Sequence, residues 1–138
     1  MKICITAAGP NLDAPVDTRF GRCQVFLIVD TENQKFEAIP NQGVGAMRGA
    51  GIAAAQMIVS SGVKAVITGN VGPNAFMVLN QSGIKIYAGV FGITARKALE
   101  AFKNNEIPEV SAPTAQGIGP GGGFGSGFSG GRRRGDRG

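Results

Sequence analysis

The apolar pattern of this chain changes period once, near residue 49, and that change points to a mixed sheet carrying helices rather than a bundle or a barrel. Before it, apolar residues come in short strand-like runs. Residues 2–7 read as a first strand, and residues 24–30, built on Val25-Phe26-Leu27-Ile28-Val29, as a second buried one. Residues 31–34 are polar turn formers, so residues 35–39 return as an antiparallel third strand that Pro40-Asn41 stops. From 49 to 61 the spacing becomes helical, with Ile52, Ala55, Ile58 and Val59 on one face and Gly62 past the end. A strand at 64–68 follows. Gly72-Pro73 then opens a helix lined by Ala75, Phe76 and Leu79 and ended by Gly83. A strand at 84–87 leads to a last helix, capped by Thr94, whose Ala95, Ala98, Leu99 and Phe102 keep i, i+3, i+4, i+7 spacing until Asn104-Asn105. The order β-β-β-α-β-α-β-α implies an α/β fold: a mixed five-stranded sheet, antiparallel in its first half and parallel in its second, with helices on its faces. Ser61-Gly62-Val63-Lys64 and Ser82-Gly83-Ile84-Lys85 echo one another, which reads as two ordinary turns that each open a strand.

Glycine marks where folding stops. Eleven of the 23 glycines lie in residues 116–138, a stretch with almost no aliphatic side chains to offset its ordering entropy. The 138 residues therefore supply one domain, residues 1–110, followed by a disordered Gly/Arg-rich tail over residues 111–138. The net charge of +5 divides accordingly: residues 1–115 carry ten Lys/Arg against eight Asp/Glu, and the rest carries four Arg against one Asp. A folded part so close to neutral lacks the broad basic face of a duplex binder. The tail, with Phe124 and Phe128 among glycines and arginine at 132, 133, 134 and 137, keeps open an alternative as an RNA- or protein-interaction module.

The chain has no histidine, which removes Ser-His-Asp and Cys-His catalysis and histidine-containing zinc sites. Cys4 and Cys23 are too few for a disulfide scaffold or for a four-thiolate metal site within one chain, although a dimer would pool its thiols. Cys4 reads as a small core residue, whereas Cys23 borders two arginines and Arg22 would lower its thiol pKa, making it a candidate metal ligand. Asp30, Glu32 and Glu37 flank a turn and read as solvated, so no gathered acids suggest a metal-dependent nuclease. No apolar run approaches signal-peptide or membrane-span length, and the expected setting is the reducing cytoplasm.

Four loops attract attention. Thr68-Gly69-Asn70-Val71-Gly72-Pro73-Asn74 joins a parallel strand to a helix N-terminus, where backbone N–H groups and the helix dipole favour an anion. The turn from Gly89 to Thr94, with Gly92, should lie beside it, bringing two helix N-termini to one ligand. Neither loop has the spacing of a dinucleotide or P-loop fingerprint. Asp17-Thr18-Arg19-Phe20-Gly21-Arg22 offers two guanidiniums whose fork geometry suits anions, or else an Asp-Arg pair that pins a long loop. Arg48, in a run with four glycines in nine residues, would bring a third guanidinium to another helix start, while the neighbouring Met47 reads as packing.

Those segments together resemble the dinitrogenase iron–molybdenum cofactor biosynthesis family. The resemblance rests on Asp17-Thr18-Arg19-Phe20-Gly21-Arg22, Gly49-Ala50-Gly51-Ile52 with Ala55-Gln56, Gly72-Pro73-Asn74-Ala75-Phe76 and Gly83-Ile84-Lys85-Ile86-Tyr87, and it covers about residues 1–110. It implies a ribonuclease-H-like three-layer fold without nuclease acids and a non-enzymatic binding or carrier role for a metal–sulfur cluster of iron or molybdenum type. Cluster donor or acceptor proteins would be its partners, and no membrane is involved. Arg19 stands where nitrogenase-branch members often carry histidine. An anionic cluster would then rest among Arg19, Arg22, Arg48, Asn70, Gly72, Asn74 and Gly92 rather than on four covalent ligands.

Overall fold

The computed structural model describes residues 1–41 and 49–114. A five-stranded sheet forms its centre: β1 (Lys2–Ala7), β2 (Val25–Asp30), β3 (Phe36–Pro40), β4 (Ala65–Ile67) and β5 (Lys85–Tyr87), in the spatial order β3-β2-β1-β4-β5. β1 occupies the middle because side chains on both of its faces are apolar or small, and Ile3, Cys4, Ile5, Thr6 and Ala7 are all fully buried. It pairs antiparallel with β2, Lys2 opposite Asp30 and Ala7 opposite Val25, and parallel with β4, Ile3 beside Ala65 and Ile5 beside Ile67. The expected change from antiparallel to parallel pairing therefore falls on β1. β3 is an edge strand with Phe36 and Glu37 exposed, and Pro40, which lacks an N–H, sits where an edge tolerates it.

Three helices, α1 (Ala50–Ser60), α2 (Pro73–Gln81) and α3 (Ala95–Lys103), are divided between the two faces. Alternation in the strands decides the division. Cys4, Phe26, Ile28, Val66 and Ile86 point to one side and pack with Ala54, Ala55, Ile58, Ala75, Phe76 and Leu79 of α1 and α2. Ile3, Ile5, Leu27, Val29 and Ile67 point to the other and pack with Ala95, Ala98 and Leu99 of α3. The face expected for α1 needs correction. Ile52 is 37% exposed and Val59 only partly buried, and the inward side is instead Ala50, Ala54, Ala55 and Ile58. Alanines dominate because α1 lies close against α2, where longer side chains would hold the helices apart.

The Ser-Gly echo has a conformational cause. Gly62 and Gly83 follow α1 and α2 with φ of 80° and 79°, the left-handed region that ends helices, and each hands the chain to the next parallel strand. Beyond α3 the chain returns along β5. Glu109 bridges Tyr87, Val110 N–H donates to the Ile86 carbonyl at 2.8 Å, and Thr114 reaches the loop after β4 through a bond to the Val71 carbonyl at 2.9 Å.

Thr94 caps α3, its Oγ1 accepting from the Lys97 N–H at 3.2 Å. Thr94→Ala should lower stability by about 1 kcal/mol in chemical unfolding, whereas Thr94→Ser should retain most of it.

Candidate anion-binding site at the sheet edge

The loops that follow β1, β4 and β5 meet at the edge where the parallel strands end, and backbone contacts fix their arrangement. Residues 17–22 cross the end of β4: Asn70 N–H donates to the Thr18 carbonyl at 2.8 Å, and Phe20 N–H donates to the Asn70 carbonyl at 3.1 Å. Arg19 and Asn70 thus form an isolated parallel bridge. The approach is so close that a methyl at Gly69 would stand 2.6 Å from Thr18 Cα and 2.8 Å from its carbonyl oxygen. A methyl at Gly21 would stand 2.8 Å from Gly51 Cα at the start of α1. Glycine is required at both positions by space. Beneath the loop, the buried Thr6 hydroxyl donates to the Asp17 carbonyl at 2.7 Å and lies 2.9 Å from the Thr68 hydroxyl.

Asp17 directs Arg19. Its Oδ1 accepts from the Arg19 N–H at 3.0 Å and lies 3.6 Å from Arg19 Nε, while Arg19 Nη2 reaches the Arg22 carbonyl at 3.5 Å. The Asp17 side chain is 9% exposed and that of Arg19 is 64% exposed, so the carboxylate is a buried anchor and the guanidinium faces solvent. This combines both readings of the motif: Asp17 pins the loop chiefly through the Arg19 backbone N–H, and the largely exposed guanidinium faces outward.

Two helix N-termini adjoin this loop. Gly51 in the first turn of α1 lies so near Ala75 in the first turn of α2 that a methyl on it would reach the Ala75 Cβ at 3.5 Å. Among the described residues no side chain caps α1 at Gly49 or α2 at Gly72, and neither first turn carries an acidic residue. Each presents about half a positive charge from its dipole. The loops carrying Gly69 and Gly89 do lie side by side, Gly89 N–H donating to the Gly69 carbonyl at 2.8 Å. The helices that converge, however, are α1 and α2 on one face; α3, with Gly92 before it, belongs to the other face and is capped by Thr94. Asn74 and Gly92 are exposed and Asn70 and Gly72 partly buried; Arg48 and Met47 lie outside the described residues.

Cys23 does not have the activated thiol expected of it. It is fully buried, and burial together with the nearby Asp17 carboxylate pushes its pKa from the ordinary 9.0 up to about 12, outweighing the opposing pull of the Asn41 hydrogen bond and Arg19. Cys4 moves the same way, mainly through burial. Among the described residues no three His, Cys, Asp or Glu side chains gather into a metal-holding group. Asn41 does more than stop β3: its side-chain amide, buried beneath the arginine loop, donates to the carbonyls of Gly21 and Cys23 at 3.1 and 3.0 Å. Its place directly after Pro40 was the available signal. The polar amide is needed because a loop folded inward leaves carbonyls to satisfy.

A family model described as dinitrogenase iron-molybdenum cofactor matches residues 1–105. The apo form of the orange protein from Desulfovibrio gigas superposes with a TM-score of 0.81 at 39% identity, covering 83% of this chain and 96% of that one. A putative NifB protein from Thermotoga gives a TM-score of 0.73 at 34% identity, with 83% and 97% covered. An uncharacterized protein of Methanocaldococcus jannaschii is 42% identical over 71 residues, which span 49% of this chain and 60% of that relative's length.

Two outcomes follow from this geometry. Gly21→Ala should destabilise the fold by roughly 1–3 kcal/mol in denaturant unfolding, because a backbone rather than a side chain must shift. The thiol of unfolded Cys23 releases its proton near 9.0 and that of the native state only near 12, so the native state holds more protons in between. Stability should therefore fall as pH rises through that window, and Cys23→Ala should shallow the fall when unfolding is followed by circular dichroism.

Proposed function

Because the chain belongs to the dinitrogenase iron-molybdenum cofactor family, we propose that it is a non-enzymatic accessory protein that binds or carries an anionic metal–sulfur cluster as its cargo. The observation that carries this reading is the pair of N-termini, α1 and α2, that no described side chain caps, packed together beside the loop that carries the outward-facing Arg19. Backbone N–H groups and a guanidinium hold negative charge without forming covalent bonds, which suits cargo that must later leave. The donor set supports non-covalent holding over ligation, since both thiols are buried and stay protonated at neutral pH. Arg19, Arg22, Asn70, Gly72 and Asn74 are the described residues we assign to the site, with Arg48 proposed from its sequence position alone; Gly92 contributes only through its turn, which adjoins the Gly69 loop, and Cys23 is not required as a thiolate. Similarity to the apo orange protein and to the putative NifB protein is consistent with this role.

The finer assignments belong to the same proposal. We read the sheet order β3-β2-β1-β4-β5 as ribonuclease-H-like, the domain as residues 1–110, and residues 111–138 as a Gly/Arg-rich tail that lies, from residue 115, outside the described residues. Donor and acceptor proteins for the cluster are the proposed partners, in the cytoplasm. Among the described residues no helix is long and apolar enough to cross a membrane.

Protein purified without oxygen from its native host should contain metal and acid-labile sulfide in stoichiometric amounts, with charge-transfer bands in the visible spectrum. Arg19→Ala should reduce both contents roughly tenfold, the scale expected for losing hydrogen bonds to a charged group, while leaving the melting temperature nearly unchanged. Equal loss of cargo and of stability would make Arg19 structural, and repeated preparations with neither metal nor sulfide, followed by failed reconstitution, would end the carrier reading.

A further inference from the structure

Five large apolar side chains are exposed among the described residues: Met1, Phe36, Ile52, Met77 and Phe91. Isolated exposed apolar residues are ordinary on protein surfaces, so position has to distinguish them. Met1 and Phe36 lie at the sheet edge opposite the candidate site, as the Thr31 N–H bond to the Met1 carbonyl and the pairing of Phe36 with Val29 show. Ile52, in the first turn of α1, and Met77, in α2, are carried by helices rather than by the loops. Phe91 alone sits where the three loops of the candidate site join.

Its ring is placed there by the backbone. A methyl at Gly69 would stand 2.9 Å from Phe91 Cε1 and 2.6 Å from Thr18 Cα, so the ring lies over Gly69 on the side where the arginine loop crosses. The turn that carries it is tied down on both flanks: Gly89 N–H donates to the Gly69 carbonyl at 2.8 Å, and the Ile93 carbonyl accepts from the Val16 N–H at 2.9 Å. Phe91 is nevertheless 53% exposed, between neighbours Val90 and Ile93 that turn inward. The result is an apolar surface held in a fixed position over Gly69, beside Thr18 and one residue along the chain from Arg19.

We propose that Phe91 is a specificity-determining residue of the site, an apolar wall that makes it prefer thioanions to oxyanions of equal charge. This rests on the cluster-carrier reading given above. Charge alone does not separate the two ligand classes, because a guanidinium and helix N-termini attract both. An aromatic wall does. Sulfide sulfur is polarisable, forms favourable contacts with aromatic rings and gives up its water easily, whereas an oxyanion pressed against the ring loses hydrogen bonds to water that the ring cannot replace.

Anaerobic titration with tetrathiotungstate and with tungstate tests this on the full chain. The wild type should bind the thioanion more tightly. Phe91→Ala should weaken tetrathiotungstate binding about three- to tenfold, the range of sulfur–aromatic contacts, with tungstate binding unchanged or strengthened and the melting temperature held. Phe91→Leu, which preserves an apolar surface, should keep more of the preference than Phe91→Ala, and Arg19→Ala should weaken both anions alike. An unchanged thioanion-to-oxyanion ratio in Phe91→Ala overturns the role of Phe91 and leaves the anion site standing. Failure of the wild type to bind either anion overturns both.

Discussion

The contact on which the candidate site depends is a backbone crossing. Residues 17–22 pass over the end of β4 at a distance only glycine permits at position 69, and over the start of α1 at a distance only glycine permits at position 21. Hydrogen bonds between Thr18, Asn70 and Phe20 then hold the crossing as a short parallel bridge. Everything around it inherits its position from that junction: the outward guanidinium of Arg19, the buried Asp17 that directs it, and the Phe91 ring lying over Gly69. A site built on backbone contacts in this way is pre-organised, so little conformational freedom remains to be lost when a ligand arrives.

The electrostatics are local rather than global. Residues 1–115 are nearly neutral, so no long-range field draws anions to the domain. Positive potential arises instead from an exposed guanidinium and from two helix starts that, among the described residues, no side chain caps. α3 provides the internal contrast, because its first N–H groups are already taken: Ala95 and Arg96 donate to the Ala14 and Leu12 carbonyls, and Lys97 donates to the Thr94 hydroxyl. One fold thus contains a helix start finished by its own sequence and two left open toward the same edge. The thiols follow the opposite rule: Cys23 lies near arginines in sequence, but burial governs its proton affinity more strongly than the charge nearby.

Much of the architecture was legible because side-chain periodicity is imposed locally by backbone geometry. Element order, the antiparallel first half, the parallel second half, the proline start of α2 and the Thr94 cap all express preferences within a few residues. The inward face of α1 was less legible. Ile52 has the greater hydrophobicity, but α1 turns alanines inward because α2 lies close, and the spacing between helices is not written in either helix alone. The Ser-Gly echo was visible as a repeat, while its cause, a left-handed glycine ending each of two helices, required backbone angles.

The sequence by itself determined which chemistry this chain lacks, since composition alone removes histidine-based catalysis, and it determined the alternation of elements, since each depends on neighbouring residues. It also singled out residues 17–22 as the segment that repays attention. Only the tertiary structure decided that α1 rather than α3 shares an edge with α2, that Asn41 and Thr6 support the arginine loop from beneath, that Cys23 is buried and protonated, and that Phe91 joins the three loops. Those outcomes depend on which residues distant in sequence come into contact, and that is settled by how strands pair and helices pack, not by the preferences of any one segment.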